Sequence, residues 1–121
     1  MRFLCAVSAV LILAIALRIS GLDIRPMHGD AAVHAYRFGQ LLETNNYRYD
    51  PTEFHGPTPN YFTLIPALLS GQHTYVSLTE ITLRIVPVCF GLVLVLMPLL
   101  LLDGLGKPVA VIACALTAIS P

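Results

Sequence analysis

Hydrophobic residues form long unbroken runs near both ends of the chain and leave a polar stretch between them. The first run, Phe3–Leu17, is closed by Arg18 and predicts a transmembrane helix over 3–22. A bilayer span needs roughly 20 apolar residues, and an arginine at its end can extend its side chain to the interface. The alternative is a secretory signal peptide, with Arg2 as the charged start and 14–16 as the cleavage site. The further membrane segments downstream favour the helix.

The second run, Ile85–Leu102, contains 18 residues without a charge and predicts a transmembrane helix over 85–102. At 1.5 Å per residue it covers about 27 Å, close to the thickness of the hydrocarbon core. Asp103–Pro108 then has the glycine and proline content of a tight turn. A third apolar run follows, and we expect a third, truncated transmembrane helix to start over 109–121. We therefore expect an all-α, polytopic membrane protein of which this chain is the N-terminal part.

The polar stretch 23–84 is expected to form an extracytoplasmic loop with short surface helices. One helix is predicted at about 31–43, where apolar residues recur at spacings of three and four, with Asp30 as its N-cap. Another is predicted at about 59–70, because Pro59 suits the start of a helix. This second helix is too short to span a bilayer and would lie at the membrane interface.

The composition also indicates a membrane protein. Of 121 residues, 56% are hydrophobic and 12% charged, against the roughly 25% charged residues of soluble domains. The mean hydropathy is +0.76, and the net charge of zero gives no reason to expect a nucleic-acid partner. The positive-inside rule favours Arg2 and Lys107 in the cytoplasm and the loop outside. Three cysteines in apolar runs, without C-x-x-C spacing, argue against a disulfide framework or a zinc site.

Asp30 and His34 are the first candidates for chemistry, because side chains four residues apart meet on one helix face. A carboxylate there could deprotonate an acceptor hydroxyl, or bind a divalent cation such as Mg²⁺ or Mn²⁺ together with His34 or His28. The alternative is a structural role, with Asp30 as a helix cap and His34 as an ordinary polar residue.

A second candidate segment is His55–Thr58, in which glycine and proline could hold His55 in a fixed pose. The alternative is a loop that starts a helix, with Thr58 as its cap. Four arginines are candidates for binding an anionic lipid phosphate: Arg18, Arg25, Arg37 and Arg84. Three loop aromatics could line a sugar site or simply pack the loop: Tyr47, Tyr49 and Phe54. The familiar nucleotide-binding and hydrolase motifs do not occur in the sequence.

Six short segments together carry a family resemblance. They are Arg25–Asp30, His34–Glu43, Tyr47–Pro51, His55–Thr58, Leu78–Arg84 and Ala118–Pro121. In this order after one membrane helix, they resemble the N-terminal part of membrane glycosyltransferases of the GT-C fold. These include protein mannosyltransferases and aminoarabinose transferases. The likeness is greatest to the subgroup named for the archaeal flippase-activity-associated protein of N-glycosylation.

The resemblance implies a multi-pass protein of the plasma membrane. Such a protein would transfer a sugar from a polyprenyl-phosphate-linked donor to a glycan, lipid or protein acceptor outside the cytoplasm. It implies that Asp30 acts as a base or metal ligand. The family usually has Glu after this Asp, whereas this chain has Ala31, which leaves one carboxylate. We expect five residues to bind substrate: His28, His34, His55, Arg25 and Arg84.

Two alternatives to an enzyme remain open at this stage. The chain could be a non-catalytic membrane protein that assists the flipping of lipid-linked sugars or the assembly of a glycan, which the alanine at Ala31 favours. It could also be a plain membrane anchor whose loop binds another protein.

Overall fold

The computed structural model describes residues 1–24, 26–52 and 56–120 and is helical throughout, with no strand in these ranges. The helices are α1 (Arg2–Ile19), α2 (Gly29–Thr44), α3 (Thr58–Leu69), α4 (Glu80–Leu96) and α5 (Leu102–Ile119), with 3₁₀ turns at Tyr75–Ser77 and Met97–Leu101. The prediction of an all-α chain is confirmed. The residues form two units: an apolar unit, 1–21 with 88–121, and a loop unit, 22–87.

Two helical stretches are long and apolar enough to cross a membrane. They are Arg2–Ile19, with a mean hydropathy of 2.2, and Glu80–Ile119, with 2.9, which includes α4, the 3₁₀ turn at Met97–Leu101 and α5. Most of their large apolar side chains are exposed, among them Leu4, Ile12 and Leu100. A core helix of a soluble protein would bury such side chains, whereas a helix in a bilayer can turn them to lipid.

The apolar unit contains two parallel helices, α1 and α5. At one end, Lys107 places its ammonium 6.0 Å from the centre of the Phe3 ring. At the other end, Arg18 hydrogen-bonds the carbonyl of Ala118. The starts of the two helices are therefore close together, and so are their ends, which shows that α1 and α5 run in the same direction.

Small residues allow α1 and α5 to approach each other closely. The buried face of α5 consists of Ala110, Cys114 and Ala118, one on each successive turn. Ala14, which is fully buried, packs into the same cluster together with Val95 of α4. Membrane helices gain little from the hydrophobic effect between themselves, so small side chains at every fourth position stabilise them through close backbone packing.

The chain reverses direction between α4 and α5, and the predicted boundaries are wrong here in detail. The sequence predicts a continuous helix over 85–102, but α4 ends at Leu96 and a 3₁₀ turn follows it. Pro98 lies in this turn and cannot donate the main-chain hydrogen bond that an α-helix requires. The predicted turn at Asp103–Pro108 is mostly helical. Its break lies at Gly106 alone, whose φ of 73° is a conformation that side-chain-bearing residues rarely adopt.

The loop unit is built around the buried face of α2. Phe38 is fully buried, and Ala35 and Leu42 of α2 pack with it against Ala67 of α3 and Leu83. The two helices predicted at about 31–43 and 59–70 occur at Gly29–Thr44 and Thr58–Leu69. The predicted N-cap is wrong, because α2 begins two residues earlier than expected. His28 takes the cap position and Asp30 lies within the first turn.

Polar contacts fix the segment between α3 and α4. Glu43 accepts a hydrogen bond from the main-chain N–H of Tyr75 at 2.7 Å. The hydroxyl of Thr79 accepts from the N–H of Thr82 at 3.3 Å, which is the geometry of an N-cap for α4. The side chain of Gln72 donates to the same hydroxyl at 3.4 Å. The Thr79 hydroxyl thus caps the start of α4, the helix that carries Arg84.

Candidate functional site

An open pocket of about 290 Å³ in the loop unit brings together three of the residues predicted to do chemistry. Asp30 and His34 reach it from α2, and Arg84 reaches it from the first turns of α4. Its remaining lining is almost wholly apolar: Met27, Ala31, Pro59, Leu83 and Pro87. A few convergent polar groups in an apolar pocket are typical of a ligand site.

Asp30 occupies the first turn of α2, where no other acidic residue is present. The side chain is exposed, so water and a substrate hydroxyl can both reach it. Asp30 can therefore accept a proton from an acceptor group placed in the pocket.

His34 lies one turn further along α2 and is half-buried. Its ring stacks on Phe38, with the ring centres 6.5 Å apart and the planes inclined by 14°. Because Phe38 is fixed in the core of the loop unit, this stacking restricts the orientation of the imidazole. His34 can thus present a ring nitrogen in a defined direction.

Arg84 is held by contacts on two sides. One guanidinium nitrogen donates to the main-chain carbonyl of Leu22, and another forms an ion pair with Glu80, one turn earlier on α4. The side chain is only 18% exposed. The ion pair offsets much of the positive charge, but a guanidinium has five N–H donors in a rigid planar array. Arg84 can therefore contribute an oriented donor to an anion in the pocket.

The wall of the pocket next to Asp30 is apolar, because Ala31 lines it with a methyl group. The pocket described here consequently offers a single carboxylate, and a mechanism that needs two has no second carboxylate among its lining residues.

The predicted Mg²⁺ or Mn²⁺ site has little support from the donor set. Within residues 1–24, 26–52 and 56–120, no group of three or more His, Cys, Asp or Glu side chains could hold a metal ion. Asp30 and His34 line the pocket together but supply only two ligands, whereas Mg²⁺ takes six. The cation remains a prediction.

The other predicted site residues do not join this pocket in the described part of the chain. His28 is exposed at the cap of α2 and is absent from the pocket lining. Arg25 and His55 lie outside the described residues. Arg18, which the sequence predicts to lie at the membrane interface, donates hydrogen bonds to the main-chain carbonyls of Thr117 and Ala118. That role was not evident from the sequence, since it depends on a helix one hundred residues away.

Two further depressions in the loop unit share Arg37 and Arg48 in their lining. One, of about 360 Å³, is lined by Arg37, Gln40, Thr44, Asn46, Tyr47 and Arg48. The other, of about 300 Å³, is lined by Arg37, Arg48, Tyr49, Asp50 and Pro51. We call the pair the arginine groove. The sequence suggested that Arg37 could bind a phosphate and that Tyr47 and Tyr49 could line a sugar site. Nothing in the sequence indicated that these residues lie together or that Arg48 lies beside them.

Asp50 provides the negative charge in the arginine groove. Its carboxylate accepts hydrogen bonds from the hydroxyl and the N–H of Thr52, at 2.6 and 2.9 Å, and lies 3.4 Å from the guanidinium of Arg37. The Thr52 hydroxyl and N–H, followed by the charges of Arg37 and Arg48, hold the pKa of Asp50 below its usual value of 3.8. Asp50 is therefore ionised at neutral pH and fixes the position of Arg37.

Comparisons with known proteins add no identification. No family model, no curated protein and no solved structure matches this chain. The functional assignment consequently depends on the residues and their geometry.

Proposed function

We propose that this chain belongs to a polytopic membrane glycosyltransferase of the GT-C type, which transfers a sugar from a polyprenyl-phosphate-linked donor to an extracytoplasmic acceptor. The observation that carries the proposal is the shared pocket of Asp30, His34 and Arg84. It joins the carboxylate and imidazole of α2 to a guanidinium of α4 that is distant from them in the sequence, in a chain with two helical stretches apolar enough to cross a membrane.

The proposed reaction requires one bond to form and one to break. The oxygen of the acceptor hydroxyl attacks the anomeric carbon of the donor sugar, and the bond between that carbon and the phosphate oxygen breaks. The acceptor proton passes to the carboxylate of Asp30, and polyprenyl phosphate leaves with the bonding electron pair. A positioned general base typically contributes 10²- to 10⁴-fold to a rate.

Arg84 and His34 complete the proposed mechanism through hydrogen bonding. Negative charge develops on the departing phosphate, and an oriented N–H donor in a partly desolvated site stabilises it more than water would. Arg84 is suited to this role because Leu22 and Glu80 fix its guanidinium in advance. His34 is suited to orienting the sugar or the phosphate, since its ring is restrained against Phe38.

The architecture of the apolar unit is compatible with this function. Arg18 of α1 contacts Gly91 of α4, so the points at which the chain leaves and re-enters this unit lie at the same end. A loop connected at one end of a helical bundle can stay on one side of a bilayer. We propose that this side is extracytoplasmic, in agreement with the cytoplasmic location that the positive-inside rule favours for Arg2 and Lys107.

Substitution of Asp30 tests the proposal directly. In the protein reconstituted into liposomes with a radiolabelled polyprenyl-phosphate hexose, Asp30→Asn should lower sugar transfer by about 100-fold or more. Asp23→Asn is the matched control, because it removes an exposed carboxylate from the same unit outside the pocket. Equal transfer by the wild-type protein and Asp30→Asn, with equal amounts inserted in the membrane, would remove Asp30 from the mechanism.

Ala31 favours a second candidate function, a non-catalytic protein that assists the flipping of lipid-linked sugars. With a methyl group in place of the family's second carboxylate, the pocket can still bind a sugar phosphate without transferring it. Such a protein would show no transfer with any acceptor but would speed the appearance of the labelled lipid on the opposite leaflet. Under this alternative, Asp30→Asn would leave that flipping rate unchanged or alter it only through binding.

A further inference from the structure

The arginine groove has a different composition from the Asp30 pocket. Its lining is polar and charged, and it contains no aliphatic side chain apart from Pro51. Its charged residues are Arg37, Arg48 and Asp50, which together give one net positive charge. Asp50 is paired with Arg37, so the additional positive charge is that of Arg48, which is exposed to solvent. The groove therefore favours a ligand that carries a negative group near Arg48.

Aromatic rings and amides accompany this charge. Tyr47 is half-buried and packs against Tyr61 of α3, with the ring centres 5.9 Å apart, so its ring is held in place. Tyr49 is 59% exposed and lines the adjoining depression. Gln40 and Asn46 border the first depression with amide groups that both donate and accept hydrogen bonds. Flat rings and amides beside a guanidinium can contact the ring faces, the hydroxyls and the acid group of a sugar.

The size of the groove also suits a short saccharide. Its two depressions measure about 360 and 300 Å³ and share both arginines. Each lies at the lower end of the roughly 300 to 1,000 Å³ found for small-ligand pockets. An extended ligand of two or three sugar rings could occupy both depressions, with its acid group between them at the arginines.

We propose that the arginine groove is a binding site for an acidic saccharide, with Arg48 and Arg37 holding its carboxylate and Tyr47 and Tyr49 contacting its rings. Gln40 and Asn46 contact its hydroxyls. The site is separate from the Asp30 pocket, and the two have no lining residue in common. The proposal concerns binding alone and does not require that the chain transfers a sugar.

The test uses the whole chain in lipid nanodiscs and three probes: a trigalacturonate, the neutral galactose trisaccharide of the same linkage, and inorganic phosphate. Calorimetry should show the acidic trisaccharide binding at least about 10-fold more tightly than the neutral one, the factor expected for one charge-assisted contact. Arg48→Gln should remove about 10-fold of that affinity, and Arg48→Lys should lose less because it keeps the charge. Arg2→Gln, the same loss of charge in the apolar unit, should change nothing.

Further variants separate this proposal from its rivals. Tyr49→Leu should lower the affinity for the acidic trisaccharide without changing the affinity for phosphate, because only a sugar ring contacts the aromatic face. Asp30→Asn should leave the affinity for the acidic trisaccharide unchanged, so failure of the proposed transfer would not affect this result. Equal affinity for the acidic and neutral trisaccharides, or an unchanged affinity in Arg48→Gln, would overturn the proposal. Phosphate binding as tight as that of the trisaccharide would show an anion site without sugar recognition and would equally overturn it.

Discussion

The guanidinium of Arg18 donates a hydrogen bond of 2.9 Å to the main-chain carbonyl of Ala118 and so joins the last turn of α1 to the last turn of α5. The carbonyls at the end of a helix have no partner within the helix and carry the negative end of its dipole. A cation from a neighbouring helix satisfies them. The sequence predicts Arg18 only as a membrane-interface residue. In the structure it also links α1 to α5 within the apolar unit.

Arg18→Leu should destabilise the apolar unit. It removes the hydrogen bonds to Thr117 and Ala118, and a hydrogen bond involving a charged group contributes about 1.5–3 kcal/mol. We expect a loss of about 2 kcal/mol in the free energy of unfolding, measured by titration with a denaturing detergent. Arg2→Leu, at the exposed opposite end of α1, is the control and should cost much less. Equal effects of the two substitutions would show that Arg18 acts only through its charge.

Gly91→Ala should weaken the same contact from the other side. A Cβ atom at this position would lie 2.9 Å from the Nε of Arg18, closer than atoms can normally approach. The arginine side chain is flexible and can move away, and alanine gains about 1 kcal/mol of helix propensity over glycine, so we expect a net change in stability within about 1 kcal/mol of zero. In a double-mutant cycle, Gly91→Ala should be more favourable in the Arg18→Leu background, because the arginine that it displaces is absent there. Simple additivity would contradict the contact.

Ala118→Leu should separate α1 from α5. Ala118 is 1% exposed and packs in the cluster with Ala14 and Cys114, where no space for a larger side chain exists without movement of a helix. Overpacking of this kind costs typically about 1–3 kcal/mol. Val109→Leu also adds bulk to α5, but at a position that is 48% exposed, and serves as the control. Thermal unfolding in detergent, followed by circular dichroism, measures both; equal stability of the two variants would exclude close packing at Ala118.

Gly39→Ala should destabilise the loop unit although alanine favours helices by about 1 kcal/mol over glycine. A Cβ at Gly39 would lie 3.0 Å from the Cβ and Cγ of Tyr75 and would overlap its Cδ2. The Cβ of Tyr75 cannot move without its main chain, so we expect a net loss of about 1–3 kcal/mol. Gly29→Ala on the same helix meets no neighbour within 4 Å and should be neutral or stabilising. Hydrogen exchange of the α2 amides distinguishes the two; slower exchange in Gly39→Ala would contradict the contact.

The pKa of Asp50 should lie below 3.8 in the folded protein, and Thr52→Val should raise it. Thr52→Ser keeps the hydroxyl and should leave it low. A carboxyl group with a depressed pKa stabilises the fold at pH values above its unfolded pKa of about 3.9, and this contribution is lost as the pH falls through the folded value. The conformational order of segment 47–52 should therefore stay constant from pH 7 to about pH 4 and decrease only below about pH 4. NMR titration measures the pKa, and an unshifted value in the wild-type protein would refute the assignment.

Local patterns predicted the helices of this protein well. The apolar face of α2 and the proline at the start of α3 locate both helices to within about two residues, because helix formation depends on neighbouring residues. The same reasoning placed Asp30 and His34 on one face. It failed at the cap of α2, where a start two residues earlier moved Asp30 into the helix, and at Pro98, where a 3₁₀ turn replaced a continuous span.

The sequence alone predicted that the chain is helical, that it contains stretches apolar enough to cross a membrane, and that one helix face carries Asp30 and His34. Only the tertiary structure decided that Arg84 joins these two residues, that Arg37 and Arg48 form a separate groove, and that Arg18 binds the end of α5. The physical reason is that hydropathy and helical periodicity are properties of adjacent residues. The partner of a long cationic side chain depends instead on which distant carbonyls and carboxylates the packing brings within about 3 Å of it.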